Sequence, residues 1–516
     1  MVATDKAACP GCPNNGLRNL AASTVLLIAT AAHAATYSYN NNIDNPGTWT
    51  DSNNWLDNTN GNAVTTFPGS GDDVVTPTKF GAAGTSGART IGSLTFSSST
   101  GWSILASSTA PSFTIQKTLS SGGTGGLTIR GNMPLLISNT GNAATSVTNT
   151  GGTLALGSNT SSGRVLTSLT VSSGLTDVQG GTLSVSATTA AFNGGVHINN
   201  GAKFLFNQRN NSTSVAFLSS SSGQGNVAAD STVFSGEGTT NFVATLNING
   251  ASGTNTFGGV LADSSSTFRI TALQKNGNSI QTLSGLNTYT GGTTVSGGTL
   301  RADNNSALGT SGVTINGGTL EIASTRTITN NISMSSGVLD VVGTTNTGAL
   351  SVTGGTVRGT GTVSQGLTVG STATLAPGES NAGTFNTTSL SLQSGSTYSV
   401  DLAADTSDQT IATGVSLGNG TLSIASIAAG LPKGTFFDII KNTGGSAVSL
   451  TGGLGFNNLA DGGQFTSNGY TFRIDYDGTA AGAQSGGKDV VLTLVPEPSI
   501  AVLGATGLLV LRRRRR

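Results

Sequence analysis

The sequence predicts an all-β fold, a right-handed parallel β-helix, on three observations. Apolar residues alternate with polar ones at period two, as at Val313 and Ile315, then Leu320 and Ile322, the mark of strands with one buried face. A short unit recurs: an apolar residue, a turn containing Gly-Gly, then Thr-Leu or Thr-Val. Helix signals are scarce throughout residues 36–494.

The unit is clearest at Val178-Gln179-Gly180-Gly181-Thr182-Leu183, Val295-Ser296-Gly297-Gly298-Thr299-Leu300, Ile315-Asn316-Gly317-Gly318-Thr319-Leu320 and Val352-Thr353-Gly354-Gly355-Thr356-Val357. Glycine permits the positive φ that a corner between strands needs. Gly-Gly between alternating strands is also a hairpin signal. The spacing favours a solenoid, with 20 residues from Gly297 to Gly317 and 37 more to Gly354. One β-helix coil takes about 20 to 30 residues, and stacked coils bury a continuous core.

The ends read as targeting segments. Lys6 and Arg18 precede an apolar stretch, Leu20–Ala32, and Ala32-His33-Ala34 forms an A-x-A cleavage site, so a signal helix is expected over residues 1–34. Cys9 and Cys12 form a C-x-x-C pair upstream of that cleavage, so the mature chain is expected to hold no cysteine. His33 is lost as well, which leaves His197 alone and excludes a His/Cys zinc site. At the other end stand Pro496-Glu497-Pro498, an apolar run Ile500–Leu511, and Arg512, Arg513, Arg514, Arg515 and Arg516. The prolines stop a preceding strand, the apolar run can enter a bilayer as a helix, and arginines stay cytoplasmic. The run has 12 residues, against the roughly 20 needed to span a bilayer, so it reads as a temporary stop.

This tail resembles the PEP-CTERM sorting signal of bacterial envelope proteins. The resemblance implies export through the secretion translocon, transient inner-membrane retention, and cleavage near Pro496-Glu497-Pro498 by an exosortase-type protease. A second resemblance rests on Leu283-Ser284-Gly285-Leu286-Asn287-Thr288-Tyr289-Thr290-Gly291-Gly292-Thr293-Thr294-Val295-Ser296-Gly297-Gly298-Thr299-Leu300, with Arg301 and Asn304-Asn305-Ser306-Ala307-Leu308-Gly309 following. This stretch is similar to the autotransporter-associated β-strand repeat, which implies a passenger-type β-helical stalk at the cell surface. Self-transport is not expected, since the sorting tail stands where a terminal β-barrel would. Thr374-Leu375-Ala376-Pro377-Gly378-Glu379-Ser380 resembles the closing coils of such passengers. Trp49, Asn54-Trp55 and Pro68–Val75 resemble the opening segment of related exported proteins, with Trp49 and Trp55 as candidate cap anchors or carbohydrate-stacking rings. The chain then divides into a signal peptide over 1–34, an N-terminal cap region over 35–80, a β-helical repeat region over 81–385, closing coils over 386–494 and the sorting tail over 495–516.

Charge limits the chemistry. Formal net charge is zero over the whole chain, but without the two ends 16 basic residues face 21 acidic ones. Nucleic acid is not an expected partner, since it needs a basic stripe. Charged residues are only 9% of the chain, against about 25% in ordinary domains. The densest acidic group is Asp401, Asp405 and Asp408: Asp401 is expected to point outward from a strand, and the other two to sit in a solvated loop, with calcium as the alternative. Asp475-Tyr476-Asp477-Gly478 lacks the later ligands of a calcium loop and reads as strand and turn. His197 alternates with Val196 and Ile198, hence faces outward, and no nearby Ser or Asp motif makes it a general base. No catalytic residue, cofactor or metal site is expected. The reading is an exported, non-enzymatic structural or adhesive solenoid at the envelope, cell surface or exterior, associated with extracellular polysaccharide. The alternative is a β-helix enzyme or binding protein acting on surface glycans, which needs grouped carboxylates on adjacent coils.

Overall fold

The structure, a computed structural model, describes residues 35–39, strand segments between 55 and 264, and residues 269–495 apart from 346–349, 379–381, 405 and 480–485. They fall in one unit, Ala35–Arg516. The leader with Cys9, Cys12, Ala32 and Ala34, the tail from Pro496 to Arg516, Trp49 and Asp405 lie outside the described residues.

The described chain is a parallel β-solenoid whose coils carry up to three strands, one on each of three faces. Thr118–Ser121 lies on the first face, Leu127–Arg130 on the second and Pro134–Ile137 on the third. In the next coil Ser146–Asn149, Thr153–Leu156 and Ser168–Val171 pair with them, parallel and in order. Along the first face, stacked residues Leu119, Val147, Thr176, Val196 and Leu218 are 28, 29, 20 and 22 residues apart. Farther on, Leu300, Leu320, Leu339, Val357 and Leu375 stack at intervals of 20, 19, 18 and 18. The interval varies because turns of different length join the strands, and the register itself shifts locally between Ile315 and Thr319, Val352 and Gly354, and Val400 and Asp401.

Alternation places the core as the pattern predicts. Val313, Ile315, Leu320 and Ile322 are at most 1% exposed, and the apolar interior runs continuously from Val74 to Leu494. Aromatic rings fill its width, with Phe192 and Phe204 edge-to-face at 5.6 Å. Such pairs add about 0.5–1.5 kcal/mol beyond the area they bury.

Three of the four Gly-Gly units, at Gly297, Gly317 and Gly354, turn the chain from the third face to the first, while Gly180-Gly181 turns it from the first to the second. Strand Val313–Ile322 runs through the corner at Gly317: Val313–Ile315 pairs with Thr293–Val295 on the third face, and Thr319–Ile322 with Thr299–Ala302 on the first. The interval of 37 residues between Gly317 and Gly354 hides one further corner, Ser335-Ser336-Gly337, inside strand Ile332–Val341. That corner has a single glycine, Gly337, at φ +85°, a left-handed conformation that glycine adopts at little steric cost.

Both ends of the stack change from parallel to antiparallel pairing. Thr36–Tyr39 lies parallel to Asp73–Val75 and antiparallel to Trp55–Asp57, which pairs with the short strand Asn62–Ala63. Trp55 thus opens a strand of the N-terminal end. At the other end Phe436–Asn442 is the last parallel strand of the second face. Asp489–Leu494, Tyr470–Gly478 and Gln464–Ser467 follow antiparallel. The Phe456 ring stacks on Tyr398 at 5.7 Å and covers the end of the core. Short antiparallel edges protect a sheet from pairing with other chains.

Candidate functional site: hydroxyl ladder, ion-pair column and C-terminal groove

The stretch with the strongest family resemblance holds the coils together. On the second face, among the described residues, no strand lies between Ala262 and Thr327, and Asn287 supplies the missing inter-coil bonds. Its Oδ1 accepts the Leu261 backbone N–H (2.8 Å) and its Nδ2 donates to the Ala307 carbonyl (2.6 Å), with the side chain 1% exposed. An asparagine amide carries an acceptor and donors on one planar group, so it can replace a peptide unit between two coils. Tyr289 is fully buried, and its phenol oxygen lies 2.5 Å from the Thr293 hydroxyl. Burial pushes that phenol's pKa upward. Lys275 is also buried; its ammonium donates to the Gly277 and Gly297 carbonyls at the corner, and burial lowers its pKa to about 8.

Outward positions are sorted by face. On the third face, one column reads Gln274, Thr294, Thr314, Ser333, Ser351, Thr368, Ser391, Ser416 and Ser449, in register from coil to coil. All are exposed or half-exposed, and none is charged. Strands stack at about 4.8 Å, so the column offers one hydroxyl or amide every ~5 Å. A depression of about 380 Å³ runs beside it, lined by Gly292, Thr294, Gly312, Thr314, Ser333 and Ser351 among others.

The first face carries the charges. Its outer column is Arg301, Glu321, Asp340 and Arg358. Arg301 pairs with Glu321 at 3.0 Å and Arg358 with Asp340 at 2.8 Å, and Arg326 meets Asp303 at 3.0 Å nearby. The partly exposed pairs at Arg301 and Arg326 add only about 0–1 kcal/mol each, while Asp340 is buried beneath Arg358. The paired charges do cancel one another's field. A second column on this face is also rich in threonine, running through Thr299, Thr319 and Thr356 of the Gly-Gly-Thr units and on through Thr374, Thr397 and Thr421, with Val338 in one place.

The passenger-associated-transport-repeat family matches residues 273–302. No curated protein matches the chain. The matched segment contains Lys275, Asn287, Tyr289, Gly297 and Gly298, the residues that bind coil to coil. Match and solenoid together suggest an exported, surface-type β-solenoid protein.

The acidic residues are placed differently from expectation. Asp401 does lie on a strand, and its carboxylate accepts from the Ser426 hydroxyl. Asp408 is not solvated: it is 2% exposed and accepts the backbone N–H groups of Gly383 (2.8 Å) and Asp401 (2.9 Å). It is a clamp between neighbouring segments, and its burial raises its pKa to about 6. Among the described residues, no three His, Cys, Asp or Glu side chains gather as a metal site. Asp475 to Gly478 belongs wholly to a strand, with Asp475 fully buried.

His197 faces outward as predicted, but it has neighbours the sequence did not reveal. The register sets it between Asp177 and Ser219 on adjacent coils, and its Nδ1 lies 2.9 Å from the Ser219 hydroxyl. Asp177 takes the Gln179 amide at 2.7 Å. No motif exists because the three residues are 20 and 22 positions apart.

At the C-terminal end of the second face, a groove of about 1000 Å³ is lined by Thr384, Gln409, Lys433, Phe436 and Asp438, among others. The Gln409 amide donates to the Asp438 carbonyl (3.0 Å), while Asp438 Oδ1 is buried with no hydrogen-bond partner. Burial, then the charge of Asp489, raises the Asp438 pKa to about 7, opposed by Lys441 and Gln409. The folded state therefore binds a proton that the unfolded chain releases near pH 4. Stability from this group is greatest below pH 4 and declines as pH rises toward 7. Asp438→Asn is expected to remove that decline, so that thermal melts at pH 8 favour the variant while those at pH 4 coincide.

Proposed function

We propose that the protein is exported and works outside the cell as a non-enzymatic structural or adhesive solenoid. In this reading the third-face ladder holds neutral stretches of extracellular polysaccharide. The observation that supports it is the separation of outward residues: hydroxyls and amides in one uncharged column, ionic groups paired among themselves on another face. A glycan running along the stack would meet a donor or acceptor at each coil. Individually weak contacts then add through multivalency. The weakly acidic balance of the chain without its ends gives nucleic acid no purchase.

Delivery completes the reading. The translocon carries the chain, cleavage follows Ala34, and the apolar segment before Arg512–Arg516 holds it briefly in the inner membrane. An exosortase-type protease then cuts near Pro496-Glu497-Pro498. Among the described residues no helix is long and apolar enough to cross a membrane. Cell fractionation with mass-spectrometric mapping of both mature ends tests delivery. Recovery of the intact 516-residue chain from the cytosol would end it.

For the binding role, the test is a fourfold ladder variant, Thr294→Val, Thr314→Val, Ser333→Ala and Ser351→Ala. Retention on insoluble neutral polysaccharide should fall at least tenfold with the circular dichroism spectrum unchanged. Equal retention, or depolymerisation of the polysaccharide by the parent protein, would refute the role.

A further inference from the structure

We propose that the groove at the C-terminal end of the second face is an oligosaccharide-binding site, with the Phe436 ring as stacking platform and Gln409 and Asp438 as hydrogen-bonding groups. It lies on a different face from the ladder and would grip a short piece of glycan. Its volume, about 1000 Å³, is at the upper end of ordinary ligand pockets and suits about three pyranose units.

Phe436 is the first reason. Within strand Phe436–Asn442 it points away from the core that takes up Phe437, and it remains 41% exposed. The other large exposed apolar side chains among the described residues are aliphatic: Leu175, Val243, Ile280 and Leu286. Among the described residues, the one such exposed aromatic ring therefore stands on the wall of the groove. A Phe ring left in water forgoes the gain that burial would give it. The C–H face of a pyranose ring is apolar and flat, and matches an exposed ring in both respects.

The polar groups are the second reason. Asp438 presents a carboxyl oxygen that is buried and unbonded. An unmet acceptor of this kind is costly, and rotation of the carboxyl about its own Cβ–Cγ bond would turn this oxygen from the interior toward a sugar hydroxyl in the groove. Gln409 is held in place by its bond to the Asp438 carbonyl. Its amide oxygen and second N–H can still meet a sugar hydroxyl. Thr384, Ser407 and Thr435 add hydroxyls along the walls, and Lys433 contributes a cation.

The pyranose class follows from the ring and the planar polar groups; the class of polymer rests on the polysaccharide reading above. The test uses the purified full chain after export, titrated calorimetrically with cellotriose, chitotriose and trigalacturonate. At least one probe should bind saturably, Phe436→Ala should weaken it at least tenfold, and Gln409→Ala severalfold. Phe436→Leu, which keeps apolar bulk without a flat ring, should resemble Phe436→Ala and guards against a folding artefact. The fourfold ladder variant should bind the trisaccharide normally, so this site and the ladder fail or stand separately. Absence of binding by all three probes, or unchanged affinity in Phe436→Ala, would overturn the proposal.

Discussion

Tyr289→Ala will destabilise the coils around residues 261–322 by about 3–5 kcal/mol, the usual cost of removing a fully buried aromatic ring. Tyr289 is 0% exposed, and its phenol is tied to Thr293, whose hydroxyl also reaches the Leu308 carbonyl at 3.3 Å. Alanine would leave a cavity and would strip the Thr293 hydroxyl of one of its two partners. Tyr289→Phe keeps the ring and loses one hydrogen bond, for about 1 kcal/mol. In a solenoid each coil contacts chiefly its neighbours, so damage spreads by nearest-neighbour coupling. Amide hydrogen exchange should show protection lost first in these coils and kept around Phe192 and Phe204. Uniform loss throughout the chain would contradict the local picture.

Gly297→Ala will cost about 3 kcal/mol or more, although Gly297 lies at a corner and not in the core. A Cβ at this position would stand 1.8 Å from the Asn276 carbonyl oxygen of the preceding coil. Backbone cannot step aside as a side chain can, so the corner would open or the coils would separate. Overpacking elsewhere typically costs about 1–3 kcal/mol. Gly253→Ala is the control for space, because the nearest atom there, an Asn255 side-chain nitrogen, is 3.8 Å away. It carries only the strain of its positive φ, +94°, about 1–2 kcal/mol. A thermal melt in which Gly297→Ala matches Gly253→Ala would show that coil contact is not what the corner glycine protects.

The parts of the fold visible in the sequence were those set by local rules. Period-two alternation announced the strands at Val313–Ile322, and Gly-Gly-Thr announced the corners. Contacts between coils were not visible, because their sequence separation changes with each turn. Asp408 reads as a loop residue beside Asp405, yet its partners are Gly383 and Asp401, 25 and 7 residues away. Asp177, His197 and Ser219 share one outer column without sharing a motif. Asn287 is conspicuous in its repeat, but its role depends on a missing second-face strand that no local pattern reports. The groove around Phe436 shows the same limit: Thr384 and Gln409 reach it from preceding coils. In the strand Phe436–Asn442, Phe437 points into the core and Phe436 points outward. Only the packed structure shows that a groove lies beside it.

The direction of the inter-coil bonds has a mechanical consequence. Backbone hydrogen bonds join each coil to the next, so tension applied between the two ends crosses the coils in series. Resistance to pulling is then set by the weakest junction and does not add up over the stack. The two-residue strands Thr327–Ile328, Thr344–Thr345 and Thr362–Val363 share few bonds across the second face. The ten-residue strands that turn the corner beside them, Val313–Ile322, Ile332–Val341 and Leu350–Gly359, carry most of the load at those junctions. The Gly-Gly corner thus allows one continuous strand to brace two faces at once. A tether built this way would lengthen one coil at a time, and its other coils could remain folded while it yields.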